Sequence, residues 1–263
     1  MNTNAYKKSS FGPAFFFLTK RQKRALADYY AFCRLIDDIA DEPCENPQGE
    51  LAAWEAEIAR VYQGNPTTEL GVLLAQDVKD FEIPQDRFLL LIEGMRADLE
   101  GKKYNTYEAL EWYLYRVAVI VGKATLDILD VRGEEADALA LCLGSAVQLT
   151  NIVRDVYDDA RLGRVYLPVN VSAEEILTGK KKEVLSAALE QTAELAQAHY
   201  AEAFALMRKF PRLKMLPCRI MGYVYAKNLA KIEERNFKFT QTIKLSKPEK
   251  VKQVFYALYK TWF

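Results

Sequence analysis

The chain has 263 residues, half of them hydrophobic and 12% aromatic, enough to bury a sizeable core. Lysine plus arginine (36) balance aspartate plus glutamate (36), so no basic footprint for nucleic acid is visible. Cys33, Cys44, Cys142 and Cys218 lack CxxC spacing, and one histidine, His199, excludes a multi-histidine metal site. Free thiols in a reduced compartment are the expectation, with His199 a structural residue at a core edge.

Helical periodicity dominates and strand-type alternation is nearly absent. Residues 1–19 read as an irregular arm carrying Phe11, Phe15, Phe16 and Phe17, followed by a helix over 21–41. Pro43 and Pro47 end that helix and open the next, and helices follow over 48–63, 68–80 and 85–100. Two long ones are predicted over 106–130 and 134–161, before Gly163 and Pro168 impose a loop. Ser172 with Glu175 makes a capping box for a short helical turn that Gly179 stops, and Lys180–Lys182 reads as a solvated turn. Helices over 182–209, 212–236 and 247–261 complete the chain, the last capped by Ser246 and Glu249. No repeat or linker divides it, which predicts one all-α domain over residues 1–263, a helical bundle around a central cavity.

No stretch approaches the roughly 20 apolar residues of a membrane span, and the run Ala14 to Leu18 is too short for a secretory leader. The expectation is a cytoplasmic protein, or one peripheral to a membrane. The last helix bears on this, because Val251, Val254, Phe255, Leu258, Tyr259 and Trp262 fall along one side. That side either rests on a membrane surface or packs onto the bundle, and packing is the preferred reading.

The chemistry concentrates in two stretches. In 148–168, Gln148, Asn151, Asp155 and Asp159 fall at helical steps on an otherwise apolar helix. Far upstream, Asp37 and Asp41 are again one turn apart, with Arg34 a turn before them. Carboxylates one turn apart repel, and burial raises the cost, so a cation between them is expected. Magnesium suits such a site because it takes few carboxylates and completes its shell with water and phosphate oxygens. The residues thus point to a pocket whose opposite walls hold Mg²⁺ and a diphosphate. Tyr104, Tyr107, Trp112, Tyr113 and Tyr115 are expected to supply its apolar side, since π faces stabilise cations without attacking them.

The segments YAFCRLIDDIADE and LTNIVRDVYDDARLGRVYLP resemble the two aspartate-rich signatures of the squalene/phytoene synthase family. Ser9-Ser10-Phe11 and Tyr113–Ala118 match in the family's order, so the resemblance spans the first two thirds of the chain. It implies the isoprenoid synthase fold and a prenyltransferase that joins two prenyl diphosphates head to head through a cyclopropyl diphosphate. Within the family the segments look most like the bacterial members that form presqualene diphosphate from two farnesyl diphosphates, for squalene and hopanoids. Phytoene-, dehydrosqualene- and squalene-forming members are close behind.

Carried over, the resemblance makes Asp37, Asp41, Asp155 and Asp159 the metal-binding aspartates, with Asn151 beside them. Arg34, Arg154 and Arg164 would hold diphosphate, Tyr113 would handle a proton as the cyclopropane forms, and Phe11 would line the pocket. Leu114 stands where the family has cysteine, and Val119 where it often has glycine, a change expected to alter chain placement. An inactive family member serving as an assembly scaffold is the alternative of another class. The intact aspartate pairs and arginines argue for an enzyme.

Overall fold

A computed structural model of the chain describes residues 17–237 and 242–262. Eleven α-helices are described, and no strand occurs among the described residues. They are α1 (Lys20–Asp41), α2 (Pro47–Gln63), α3 (Glu69–Phe81), α4 (Asp86–Leu99), α5 (Tyr107–Leu114), α6 (Ile120–Ile128), α7 (Glu134–Arg161), α8 (Ala173–Thr178), α9 (Lys182–Leu206), α10 (Leu216–Glu233) and α11 (Lys247–Trp262).

Local chemistry sets most of the ends. The side chains of Thr19, Asn46, Thr68, Thr106 and Ser172 each accept from a backbone N–H in the first turn of the helix they precede. Pro47 occupies the first turn of α2, where a missing N–H costs nothing. Gly64 and Gly179 end α2 and α8 in the left-handed region.

The helices bury two large apolar clusters. One joins α1 to α4 around Phe32 and Phe88, whose rings meet edge to face at 5.2 Å. The other surrounds α7, packed against α9, α8 and α10. Leu26, Tyr115 and Val117 pack against both clusters, so α1 and α7 stand as opposing walls with α4, α6 and α10 closing the space between them.

The helix expected over 106–130 is interrupted. Tyr115–Val119 form a π-helical turn between α5 and α6, one residue wider than the α-helical period. Two glycines account for its close packing. A Cβ on Gly144 of α7 would stand 2.9 Å from the Ala118 carbonyl oxygen, and one on Gly94 of α4 would stand 2.7 Å from Val117 Cγ1. Val119 is fully buried against Gly144 and does not line the cavity described below, which corrects its expected influence on chain placement.

The side-by-side apolar set on α11 also divides. Val254, Ala257 and Leu258 pack onto Leu216, Ile220 and Val224 of α10, as the packing reading has it. Val251, Phe255, Tyr259 and Trp262 instead lie exposed on the outer side, Phe255 at 66%. α7 is long and apolar enough to cross a membrane by length and composition, but 72% of its most apolar window is buried inside the protein. All four cysteines are free, and His199 is half-buried.

Candidate active site

A cavity of about 310 Å³ lies between α1 and α7. Its polar end is built by Arg34 and Asp37 from α1 and by Gln148 and Asn151 from α7. Leu91, Met95, Val117, Val121 and Met221 make much of the remaining wall, with Tyr29, Tyr30 and Tyr113. A second cavity of about 150 Å³ shares Val117, Val121, Gln148, Asn151, Cys218 and Met221 and runs on to Leu139. The two form one chamber, polar at one end. α7 can line it because Leu149, Ile152 and Val153 turn into the core while Gln148 and Asn151 share the opposite side.

Past that polar end the two aspartate pairs meet. Gly163 takes a left-handed conformation (φ 76°) just after α7, and Arg164 then reaches across to α1. Its guanidinium pairs with the Asp41 carboxylate and donates to the Ala40 carbonyl at 2.9 Å. Arg34 pairs with Asp37 at 3.1 Å and Asp38 at 2.6 Å, and Arg154 Nε donates to Asp155 at 2.8 Å. Asp158, half-exposed, pairs outward with Arg161 and accepts from Thr242.

The electrostatics of this end are those of excess, partly buried negative charge. Burial pushes the Asp159 carboxyl up to about 8, and repulsion from Asp155 and Asp41 adds to it against the pull of Arg164. Burial and then repulsion from Asp41 raise Asp37 to about 6, opposed by Arg34 and Arg164. Asn151 donates to Gln148 Oε1 at 3.1 Å, while its own Oδ1 is buried without a hydrogen-bond partner in the protein.

The family model for squalene/phytoene synthases matches residues 5–249. The chain belongs to the squalene/phytoene synthase family. It is 34% identical over 255 residues to a presqualene diphosphate synthase from Rhodopseudomonas palustris, covering 92% of this chain and 90% of the relative. Phytoene synthase 2 from Solanum lycopersicum is 32% identical over 250 residues, covering 89% and 80%. In structure the chain is similar to a dehydrosqualene synthase crystallised with a ligand, at a TM-score of 0.86 and 27% identity, covering 99% and 95% of the two chains. The all-α architecture is therefore the isoprenoid synthase fold, and the chain is a prenyltransferase.

Within this family member, Arg34, Asp37, Asn151 and Tyr113 line one chamber. Asp41, Asp159 and Arg164 share the polar end beyond it, with Arg154 held by Asp155. Phe11 and the Ser9-Ser10-Phe11 segment lie outside the described residues. The expected aromatic lining needs correction, since of the five only Tyr113 faces the chamber. Tyr107 is exposed, and Trp112 lies under Lys102 and Arg116, 3.1 Å and 3.8 Å from its ring centroid. Tyr29 and Tyr30 of α1 and Tyr225 of α10 supply the other aromatic faces, among mostly aliphatic side chains.

One residue of the site escaped the sequence reading. Asp98, near the end of α4, accepts from the hydroxyls of Tyr104 (3.1 Å), Tyr113 (3.2 Å) and Tyr166 (3.0 Å). The available signal was the tyrosines themselves, since buried phenols need acceptors.

The residues present fit a divalent cation bound together with a ligand. Among the described residues no three carboxylate, thiol or imidazole groups converge as a ready cage. Crowded carboxylates and the unsatisfied Asn151 oxygen suit an ion that takes few protein oxygens and completes its shell with phosphate.

Proposed function

We propose that the chain catalyses Mg²⁺-dependent head-to-head condensation of two farnesyl diphosphates to presqualene diphosphate. The observation that carries this reading is the chamber, apolar over most of its wall, with two aspartate pairs and their arginines at its polar end. Asp37, Asp41, Asn151, Asp155 and Asp159 would hold Mg²⁺, which when bound neutralises the departing diphosphate. Arg34, Arg154 and Arg164 have the planar donor forks that suit diphosphate oxygens. The aliphatic wall holds the prenyl chains and keeps water from the allylic cation. Tyr113, the one phenol of the middle segment on the wall, is assigned the proton lost as the cyclopropane closes.

The test is product analysis by mass spectrometry. Purified protein with Mg²⁺ is given farnesyl or geranylgeranyl diphosphate, with and without NADPH. Presqualene diphosphate from the farnesyl donor without NADPH is the expected result. Geranylgeranyl turnover to a phytoene-type product would move the assignment to the second reading, which the 32% identity to a phytoene synthase favours. No diphosphate release from either donor by folded protein would favour the scaffold.

Substrate and product of this reaction are lipids, and the outer stripe of α11 suits a membrane surface. Exposed Val251, Phe255, Tyr259 and Trp262 are flanked by exposed Lys247, Lys252 and Lys260, while the helix's one acid, Glu249, is already paired with Lys231. Co-sedimentation with phosphatidylglycerol vesicles that F255E/W262E abolishes would support this contact. Binding unchanged in that variant would remove it.

A further inference from the structure

Asp98 and its tyrosines lie between the chamber and a small polar pocket. Four segments build the cluster: Asp98 on α4, Tyr104 in the following loop, Tyr113 on α5 and Tyr166 in the loop after α7. The Tyr113 and Tyr166 hydroxyls donate to the same oxygen, Oδ2, and the Tyr104 hydroxyl donates to Oδ1. Their rings pack around it, Tyr113 and Tyr166 stacked and Tyr104 and Tyr113 tilted, each pair with centroids 4.7 Å apart. A carboxylate enclosed by aromatic rings is costly unless hydrogen-bonded, and three hydroxyls meet that need.

The cluster has two faces. Tyr113 lines the chamber. On the other side Asp98, Tyr104 and Tyr166 line a polar pocket of about 20 Å³, whose remaining wall includes Arg164 and the exposed Gly101, Lys102 and Lys103. That volume accommodates a single water.

We propose that Tyr113, Asp98 and this pocket form a relay that carries the proton lost from a prenyl carbon out of the chamber. This rests on the condensation reading. As the three-membered ring closes, the C–H electron pair forms the new carbon–carbon bond and the proton passes to the Tyr113 hydroxyl oxygen. Tyr113 gives its own hydroxyl proton to Asp98 Oδ2, and the Asp98 carboxyl releases a proton to water in the pocket. Nothing is oxidised or reduced.

Two properties of the cluster agree with this. Burial holds the Tyr113 hydroxyl well above its ordinary value, so it cannot act as a base without an acceptor behind it. Burial raises Asp98 to about 6, with Arg164 and the tyrosine hydroxyls opposing, a range that lets it take and release a proton near neutral pH. Transfer to the departing diphosphate would need none of these groups.

The test compares Asp98→Asn, Asp98→Glu and a Y104F/Y166F double variant at saturating prenyl diphosphate, using whichever donor the wild type turns over. D98N should lower kcat by ~10²-fold with KM unchanged, and D98E should recover part of it. At saturating Mg²⁺, which keeps Asp37 and Asp159 ionised, wild-type kcat should rise as pH rises through about 6, since Asp98 must be ionised to accept a proton, and D98N should lose that limb. In the double variant, stripped of two donors, the limb should move to higher pH, a readout that stands even if D98N fails to fold. Unchanged kcat in folded D98N, a loss confined to KM, or an unmoved limb in the double variant would each overturn the relay. Failure of the condensation reading looks different, because the wild type would then form no cyclopropyl product from either donor.

Discussion

Helix α1 carries two acidic groups with arginines nearby, and only one of them borders the chamber. Two turns before Asp37, Asp28 lies buried against Asp77 of α3, which is 1% exposed. Arg24 donates to Asp77 at 2.8 Å and to Asp80 at 2.9 Å, and Arg21 pairs with Asp80 at 2.9 Å. Burial and then the charge of Asp77 push the Asp28 carboxyl up to about 7, and a hydrogen bond to Asp77 adds to it. Acid beside arginine on an apolar helix therefore does not define a site. Asp37 differs because it borders a chamber whose opposite wall presents Asn151, and because Arg164 ties its neighbour Asp41 to the far helix.

The sharpest way to break this contrast is to remove one acid from each cluster. Asp37→Ala or Asp155→Ala should lower turnover by at least ~10³-fold while far-UV circular dichroism and melting temperature stay near wild type. Retained activity in either would end that residue's assignment. Asp77→Ala should do the reverse. It leaves Asp28 without its partner in a buried contact, costing about 3 kcal/mol in denaturant unfolding, with KM unchanged at a temperature where the protein is folded. A D77A protein of normal stability but altered KM would place the α1–α3 cluster inside the site.

How far the sequence carried follows the same division between local and non-local causes. The start of α2 and both ends of α8 were legible because Pro47, Ser172 and Gly179 act within their own turns. The break at Tyr115–Val119 was not, because the close approach it makes to Gly94 and Gly144 joins helices far away in sequence. Asp37 and Asp155 could be read from spacing on apolar helices. Asp98 could not, since its role comes from three tyrosines that only the fold assembles. Val119 was misread for a related reason, as position in a motif does not say which wall a side chain meets.

That misreading gives a smaller test. Val119→Ala removes two methyl groups from a fully buried position and should cost about 2 kcal/mol. Product identity and donor chain length should stay the same by mass spectrometry. A shift in product would return Val119 to the chamber wall.

The finest separation of the two acidic clusters uses pH. The Asp159 carboxyl is raised from 3.8 to about 8 in the folded protein, so between those values the folded state holds a proton that the unfolded chain has lost. Its favourable contribution is complete below the unfolded value and disappears as pH rises through about 8. The melting temperature of chelator-treated protein should accordingly fall from about pH 4 to about pH 8, and Asp159→Asn should flatten part of that fall. Asp28 contributes a fall of the same sign over a lower window, reaching about 7. Added Mg²⁺ should distinguish them. It restores stability at the alkaline end only where ionised carboxylates border the chamber, so the wild type should respond more than D159N, and D28N should respond like the wild type. Equal rescue of D159N and the wild type would mean that the ion binds elsewhere.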